Sequence, residues 1–234
     1  GAMSSSQSQN SARRRRPGLS AGRIIEAAVA IAAVEGLEAV SMRRVASELS
    51  ARATSLYNHL AGRDAIIDGM VDTVVAEVYV PDVHGEWRSE MHRRARSAHH
   101  MLVRHRWAAL AILPRINVGP AMLRYIDATL GCLIEAGFSP EAADHAWNAM
   151  DNHIYGFTLQ ELTFPLEAPD YADAAGDYID HIPADTYPYM NLLSRMVAEG
   201  TYNGVNDFEF GLDLILDGLA RYRRSQEERG NRGD

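Results

Sequence analysis

Residues 52–63 concentrate side chains whose chemistry suits a nucleic-acid duplex. Thr54, Ser55, Tyr57, Asn58 and His59 bring two hydroxyls, a phenol, an amide and an imidazole close together, with Arg52 before them and Arg63 after. Such groups exchange hydrogen bonds with base edges in a major groove, while arginines meet the phosphates beside it. Histidine forms a second concentration. His92, His99, His100 and His105 fall on one predicted helix, and Asp151-Asn152-His153 on another. Histidines with carboxylates can hold a metal ion, but no His-Glu-x-x-His, Gly-x-Ser-x-Gly or Gly-x-Gly-x-x-Gly pattern accompanies them. The single cysteine, Cys132, excludes an intrachain disulfide framework and a cysteine-based zinc cage. The sequence therefore predicts no catalytic residue, no metal and no cofactor. A metal-dependent enzyme built on the histidine-rich helix stands as the rival from another class.

The elements that position these groups read as helices throughout. Ser20 is a helix N-cap, followed by Ile24, Ile25, Ala28, Val29, Ile31 and Ala32 at helical spacing, with Gly36 as the stop. Ser41 caps a short helix carrying Met42, Val45, Ala46 and Leu49, and Ser50-Ala51-Arg52 is a turn. Thr54 reads as the cap of a third short helix through Leu60. Two short helices joined by a tight turn form a helix-turn-helix. Val45, Ala46, Leu49, Leu56 and Leu60 can pack it, which leaves the polar face of its second helix outward.

A longer helix opens at Asp64 and stops before Pro81, and further helices are expected over 87–106, 107–113, 120–136, 140–163 and 189–198. Asp207 opens the last. Residues 165–188, with four prolines and many acids, read as a long loop, and no stretch alternates with period two. The expected class is all-α. The expected organisation is a flexible arm and tag scar over 1–18, a three-helix head over 19–63, a helical body over 64–224 and a polar, frayed tail over 225–234.

Composition agrees with a packed protein. Of 234 residues 47% are apolar, enough for a core, which excludes wholesale disorder. The longest apolar stretches, Ala27–Val34 and Trp107–Leu113, fall far short of the roughly 20 residues of a membrane span. No signal peptide is read at the N-terminus, and a reducing, cytoplasmic home without membrane contact is expected. All 23 basic residues are arginine, which reads as codon bias. Charge is split. Residues 1–63 hold nine arginines against four acids, a net +5, so the remainder carries −13 of the total −8. A basic end can meet a polyanion while the acidic remainder stays off it.

The stretch Ile24–Ile67 resembles the DNA-binding domain of the TetR family of bacterial transcriptional repressors. The resemblance rests on Ile25, Ala28, Gly36, Ser41-Met42-Arg43-Arg44-Val45-Ala46, Leu49, Ser55-Leu56-Tyr57-Asn58-His59-Leu60 and Arg63-Asp64-Ala65-Ile66. The run from Phe208 to Leu219 and the junction Glu135-Ala136-Gly137-Phe138-Ser139 resemble the C-terminal domain of the tetracycline-repressor subgroup. The resemblance implies a homodimer with an N-terminal reading head and a helical ligand-binding and dimerisation domain. By it, Ser41, Arg43 and Arg44 meet phosphates or groove edges, Arg63 holds the DNA backbone, and paired heads read a palindrome. The helix from residue 140 and the last helix would build a four-helix bundle across the two-fold axis. Ala143, Ala146, Trp147, Met150, Ile154, Phe157 and Leu162 offer one apolar face for it; Phe208, Leu212, Ile215, Leu216 and Leu219 offer the other. The arginines at 13–16 would reach along the duplex or act only as a charged tail.

The family also implies a small-molecule pocket. Candidate lining residues are Arg94, Ala98, Met101, Leu102, Ile112, Leu113, Ile126, Thr129, Leu133, Trp147, Met150, Asp151 and Tyr155. A mostly apolar wall with few polar groups suits a hydrophobic or aromatic effector. The histidines, asparagine and glutamine that hold magnesium-tetracycline in the subgroup fall at about Tyr79, Arg94, Ile112 and Thr129, none of which keeps the required group, so that ligand is not expected. An activator or a ligand-independent regulator would carry the same head.

Overall fold

The computed structural model describes residues 18–233, so the arginines at 13–16 lie outside the described residues. Every regular element among the described residues is helical. The chain divides into two compact units, one ending at Ile67 and the other beginning at Asp68.

In the first unit, α1 (Ala21–Glu35) starts where the Ser20 hydroxyl accepts the Arg23 amide at 3.2 Å. It buries Ile24, Ala27, Ala28, Ile31 and Ala32, a stripe at spacings of three and four, and ends at Gly36 with φ +88°. A 3₁₀ turn over Leu37–Ala39 leads to α2 (Met42–Glu48), capped by Ser41, whose hydroxyl accepts the Arg44 amide at 3.0 Å. Ser50 turns the chain with φ +52°, the left-handed region that costs a residue with a Cβ roughly 1–2 kcal/mol. The recognition element, α3 (Ala53–Leu56), is shorter than the sequence implied. Beyond Leu56 the chain continues as turns, with the His59 and Leu60 amides both donating to the Leu56 carbonyl. Thr54 does not cap it; Arg52 takes the N-cap position without a side-chain bond. Leu56, Val45 and Ala46 are buried and hold α3 on α2. α4 (Arg63–Val75) follows.

In the second unit, α5 (Trp87–Arg104) is capped by Glu86, whose carboxylate accepts the Arg88 and Ser89 amides. α6 (Ala108–Ile112) is a short apolar helix. α7 (Pro120–Glu135) carries its proline at the first turn, where the missing N–H is harmless, and Asp72 accepts the Ala121 and Met122 amides there at 3.1 and 3.0 Å. Gly119 makes room for that carboxylate: a Cβ would lie 2.3 Å from an Asp72 oxygen. α8 (Pro140–Thr163) packs against α5 and α7, burying Ala143, Ala146, Met150, Ile154 and Phe157.

Three expectations change here. First, most of the α8 face assigned to a partner is used inside the chain. Second, residues 165–188 are not one loop but contain α9 (Tyr171–Tyr178), which packs on α10 (Pro188–Glu199). Third, α11 (Phe208–Gly230) carries helix six residues past the expected start of a frayed tail at 225. α11 buries Phe208, Leu212 and Leu216 and comes close to α8 at Gly211, where a Cβ would lie 2.4 Å from the His153 ring. Its opposite side leaves Phe210 66% and Leu214 60% exposed.

Candidate nucleic-acid interface and ligand wall

The first unit presents the expected polar row on and just after α3. Thr54, Tyr57, Asn58 and His59 are exposed and Ser55 is half-buried, while Leu56 points inward with no exposure. One buried leucine thus anchors the element and turns its neighbours outward. Arg43 and Arg52 are also exposed. The other three assigned residues have local work. The Ser41 hydroxyl is engaged as the α2 cap. Arg44 is paired with Glu35 and Glu48, each at 2.8 Å. Arg63 donates from Nε to the Val40 carbonyl at 2.6 Å and from a terminal nitrogen to Leu37 at 3.2 Å, tying the turn before α2. Its sequence reading gave it to a phosphate alone. The structure gives it a bracing role inside the head as well, because two backbone carbonyls converge on its guanidinium.

The second unit brings part of the candidate wall together. Arg94 on α5 is fully buried. It donates to the Tyr125 hydroxyl on α7 at 2.8 Å and pairs with Asp151 on α8. Burial opposes the Arg94 charge, but Tyr125 and Asp151 more than offset it and its pKa is raised. Burial pushes the Tyr125 phenol up to about 12, with Arg94 working the other way. Burial likewise raises Tyr155, which lies one turn after Asp151. Trp147 is one turn before Asp151, and its indole N–H is buried without a hydrogen-bond partner among the described residues. The Trp107 indole N–H is in the same state, and a buried donor left unpaired costs about 1–3 kcal/mol.

Ala98, Met101, Leu102, Ile112, Thr129, Leu133 and Met150 are buried, and Ile126 is half-buried. Leu113 is 50% exposed and stands apart from them. Thr129 bonds its own helix at the Tyr125 carbonyl, 2.7 Å away. Tyr125 was missed by the sequence reading, although it lies one turn before Thr129 on the same face of α7 and that spacing could have found it.

A cavity of about 720 Å³ opens elsewhere, between the end of α8, α9 and α10, and none of the thirteen candidate residues lines it. The sequence offered no signal for it, because its walls come from the end of α8, from residues 166–182, and from α10 and the residues after it, which only the fold brings together.

The histidines disperse. His105 pairs with Glu77 at 2.5 Å and His99 with Glu161 at 3.2 Å. His99 and His153 both stack on Phe208, with ring centroids 4.4 and 4.9 Å away. His92 meets Glu209 at 2.5 Å, and with Asp213 it forms the one group among the described residues spaced to take a metal ion. Arg96 already occupies the same Glu209 carboxylate at 2.9 Å. No helix among the described residues is long and apolar enough to cross a membrane.

Comparison with known proteins agrees with this arrangement. Residues 81–223 match the model of the tetracyclin repressor-like C-terminal domain. The chain is 32% identical to the HTH-type transcriptional repressor DrrR1 of Streptomyces coeruleorubidus, over 87% of this chain and 78% of that one. It is 29% identical to an HTH-type transcriptional regulator of Saccharopolyspora erythraea, over 88% and 87% of the two chains. Among solved structures, the TetR family protein ActR of Streptomyces coelicolor, in complex with actinorhodin, superposes with a TM-score of 0.76 at 29% identity, covering 88% of this chain and 97% of that one. With a helix-turn-helix in its first unit and this match over more than half its length, the chain belongs to the TetR family of transcriptional regulators.

Proposed function

We propose that the chain is a homodimeric repressor that reads a palindromic operator and is released by a small hydrophobic or aromatic molecule. One observation carries the DNA half: the exposed row Thr54, Tyr57, Asn58 and His59 on an element anchored by buried Leu56. Arg43 and Arg52 supply charge beside it, and two such heads would read half-sites about 34–36 Å apart. Residues 19–63 are then the reading head and 64–224 the effector and dimer body. The dimer reading draws support from Phe210 and Leu214, an apolar pair one turn apart on the outer side of α11. The effector reading draws support from the Arg94–Asp151–Tyr125 cluster beside the unpaired Trp147 N–H, and from a neighbour solved with actinorhodin. A ligand shifts such a protein only by its difference in affinity for two states.

Selection of bound duplexes from a random DNA pool tests the reading, followed by gel-shift titration of the enriched motif. The expected result is one palindrome, bound by a dimer and released when actinorhodin is added as the probe effector. Enrichment of no sequence, with only salt-sensitive nonspecific binding, would overturn the reader. A palindrome bound unchanged across a panel of aromatic probes would leave a ligand-independent regulator.

A further inference from the structure

We propose that the cavity between the end of α8, α9 and α10 is a second small-molecule site, built for an aromatic ligand carrying a positive charge. This goes beyond the repressor reading and does not depend on it. Its volume of about 720 Å³ lies within the roughly 300–1,000 Å³ of ligand pockets. Phe157, Phe164, Tyr171, Tyr178 and Tyr202 contribute rings to the wall. Glu161 is the one fixed charge among the described lining residues, and no arginine lines the cavity.

The surrounding stretch repeats that sign. Residues 161–188 contain seven acids and no arginine. Arg106 lies outside the lining, at the Leu162 carbonyl. The Glu161 carboxylate beside low-dielectric walls favours a cation over an anion of the same shape, and the faces of aromatic rings attract it further.

The site shares no residue with the Arg94 cluster, yet it reaches α5 through one carboxylate. Glu161 holds His99 Nε2 at 3.2 Å, and His99 is stacked on Phe208. A ligand ammonium at Glu161 competes with His99 for that oxygen, so occupancy is felt on the helix that carries Arg94.

The test uses the full chain and three probes that share one ring system: 9-(aminomethyl)anthracene, a cation at neutral pH, 9-anthracenemethanol and 9-anthracenecarboxylate. Calorimetric titration should rank the amine first, the alcohol second and the carboxylate last, with about tenfold between the extremes. Glu161→Gln should weaken the amine about fivefold, to the level of the alcohol, and leave the alcohol unchanged. Ala175→Phe, which fills the cavity from α9, should weaken all three. Equal binding of amine and carboxylate, or an amine indifferent to both substitutions, would overturn the proposal. So would amine binding that survives Ala175→Phe but is lost in Met150→Ala, which would put the ligand beside Arg94. Dissociation of a dimer by Ala175→Phe with amine binding intact would identify the cavity as the seat of a second copy of the chain, and the proposal would fall.

Discussion

The head and the Arg94 cluster place their polar groups by opposite rules. In the head, Arg43, Arg52, Thr54, Tyr57, Asn58 and His59 stand in water, and their positions follow from neighbours within a few residues: a capping serine, a turn at Ser50, one buried leucine. In the cluster, the groups are withdrawn from water and drawn from α5, α7 and α8, residues 94, 125 and 151. Exposed groups can change while the fold persists, because water replaces whatever they lose. Buried charges cannot, because each depends on a partner far along the chain.

The largest expected effect tests the buried side. Asp151→Ala leaves Arg94 buried without its counter-charge and should cost about 3 kcal/mol in urea unfolding, most of it recovered by adding Arg94→Met. A loss below about 1 kcal/mol would erase the contrast. Next, alanine at both Tyr57 and Asn58 should weaken the selected operator by about 10- to 100-fold while leaving the melting temperature nearly unchanged. Destabilisation on the scale of Asp151→Ala would show that these residues hold the head together rather than read DNA. Smaller still, Ser50→Gly relieves the left-handed turn and should stabilise the head by about 0.5–1 kcal/mol, visible as slower amide exchange in α2. A loss of protection would mean that the turn relies on the serine itself.

The smallest effect is a slope. Burial lowers the pKa of His99 from its ordinary 6.5, with Glu161 opposing and His100 and His153 adding to the lowering. The unfolded chain therefore takes up this proton more readily than the folded one. The contribution is complete above pH 6.5 and is lost as pH falls below it, towards the folded value. His99→Gln should flatten the fall in melting temperature between pH 7.5 and 5.5. An unchanged slope would assign that acid sensitivity to other groups.

Local signals carried most of the fold. Ser20, Ser41, Ser139 and Asp207 each accept the backbone amides that their positions implied, because a cap is a contact across two or three residues. Thr54 failed as a cap because α3 begins two residues before a helix capped by Thr54 would, and a four-residue helix leaves no margin. α9 was hidden because its own eight residues, Tyr171–Tyr178, are mostly small or acidic, and only packing on α10 makes it a helix worth forming. The Arg94 cluster was half legible. Arg94 and Asp151 were named from the family pattern, while Tyr125 was reachable only through Thr129, one turn further along the same face of α7. The cavity was illegible, since its walls come from the end of α8, from α9, and from α10 with the residues after it, segments that only the fold brings together.

Arg44 carries a consequence for how binding responds to ionic strength. Its guanidinium is already matched by Glu35 and Glu48. A phosphate that takes it must displace two carboxylates of the protein, which then gather sodium from the solvent as the DNA sheds its own. The net release of ions from that contact is close to nothing. If Arg43, Arg44 and Arg52 all meet phosphates as proposed, a slope of about 0.9 per phosphate contact in a plot of log affinity against log salt would count Arg43 and Arg52 but pass over Arg44.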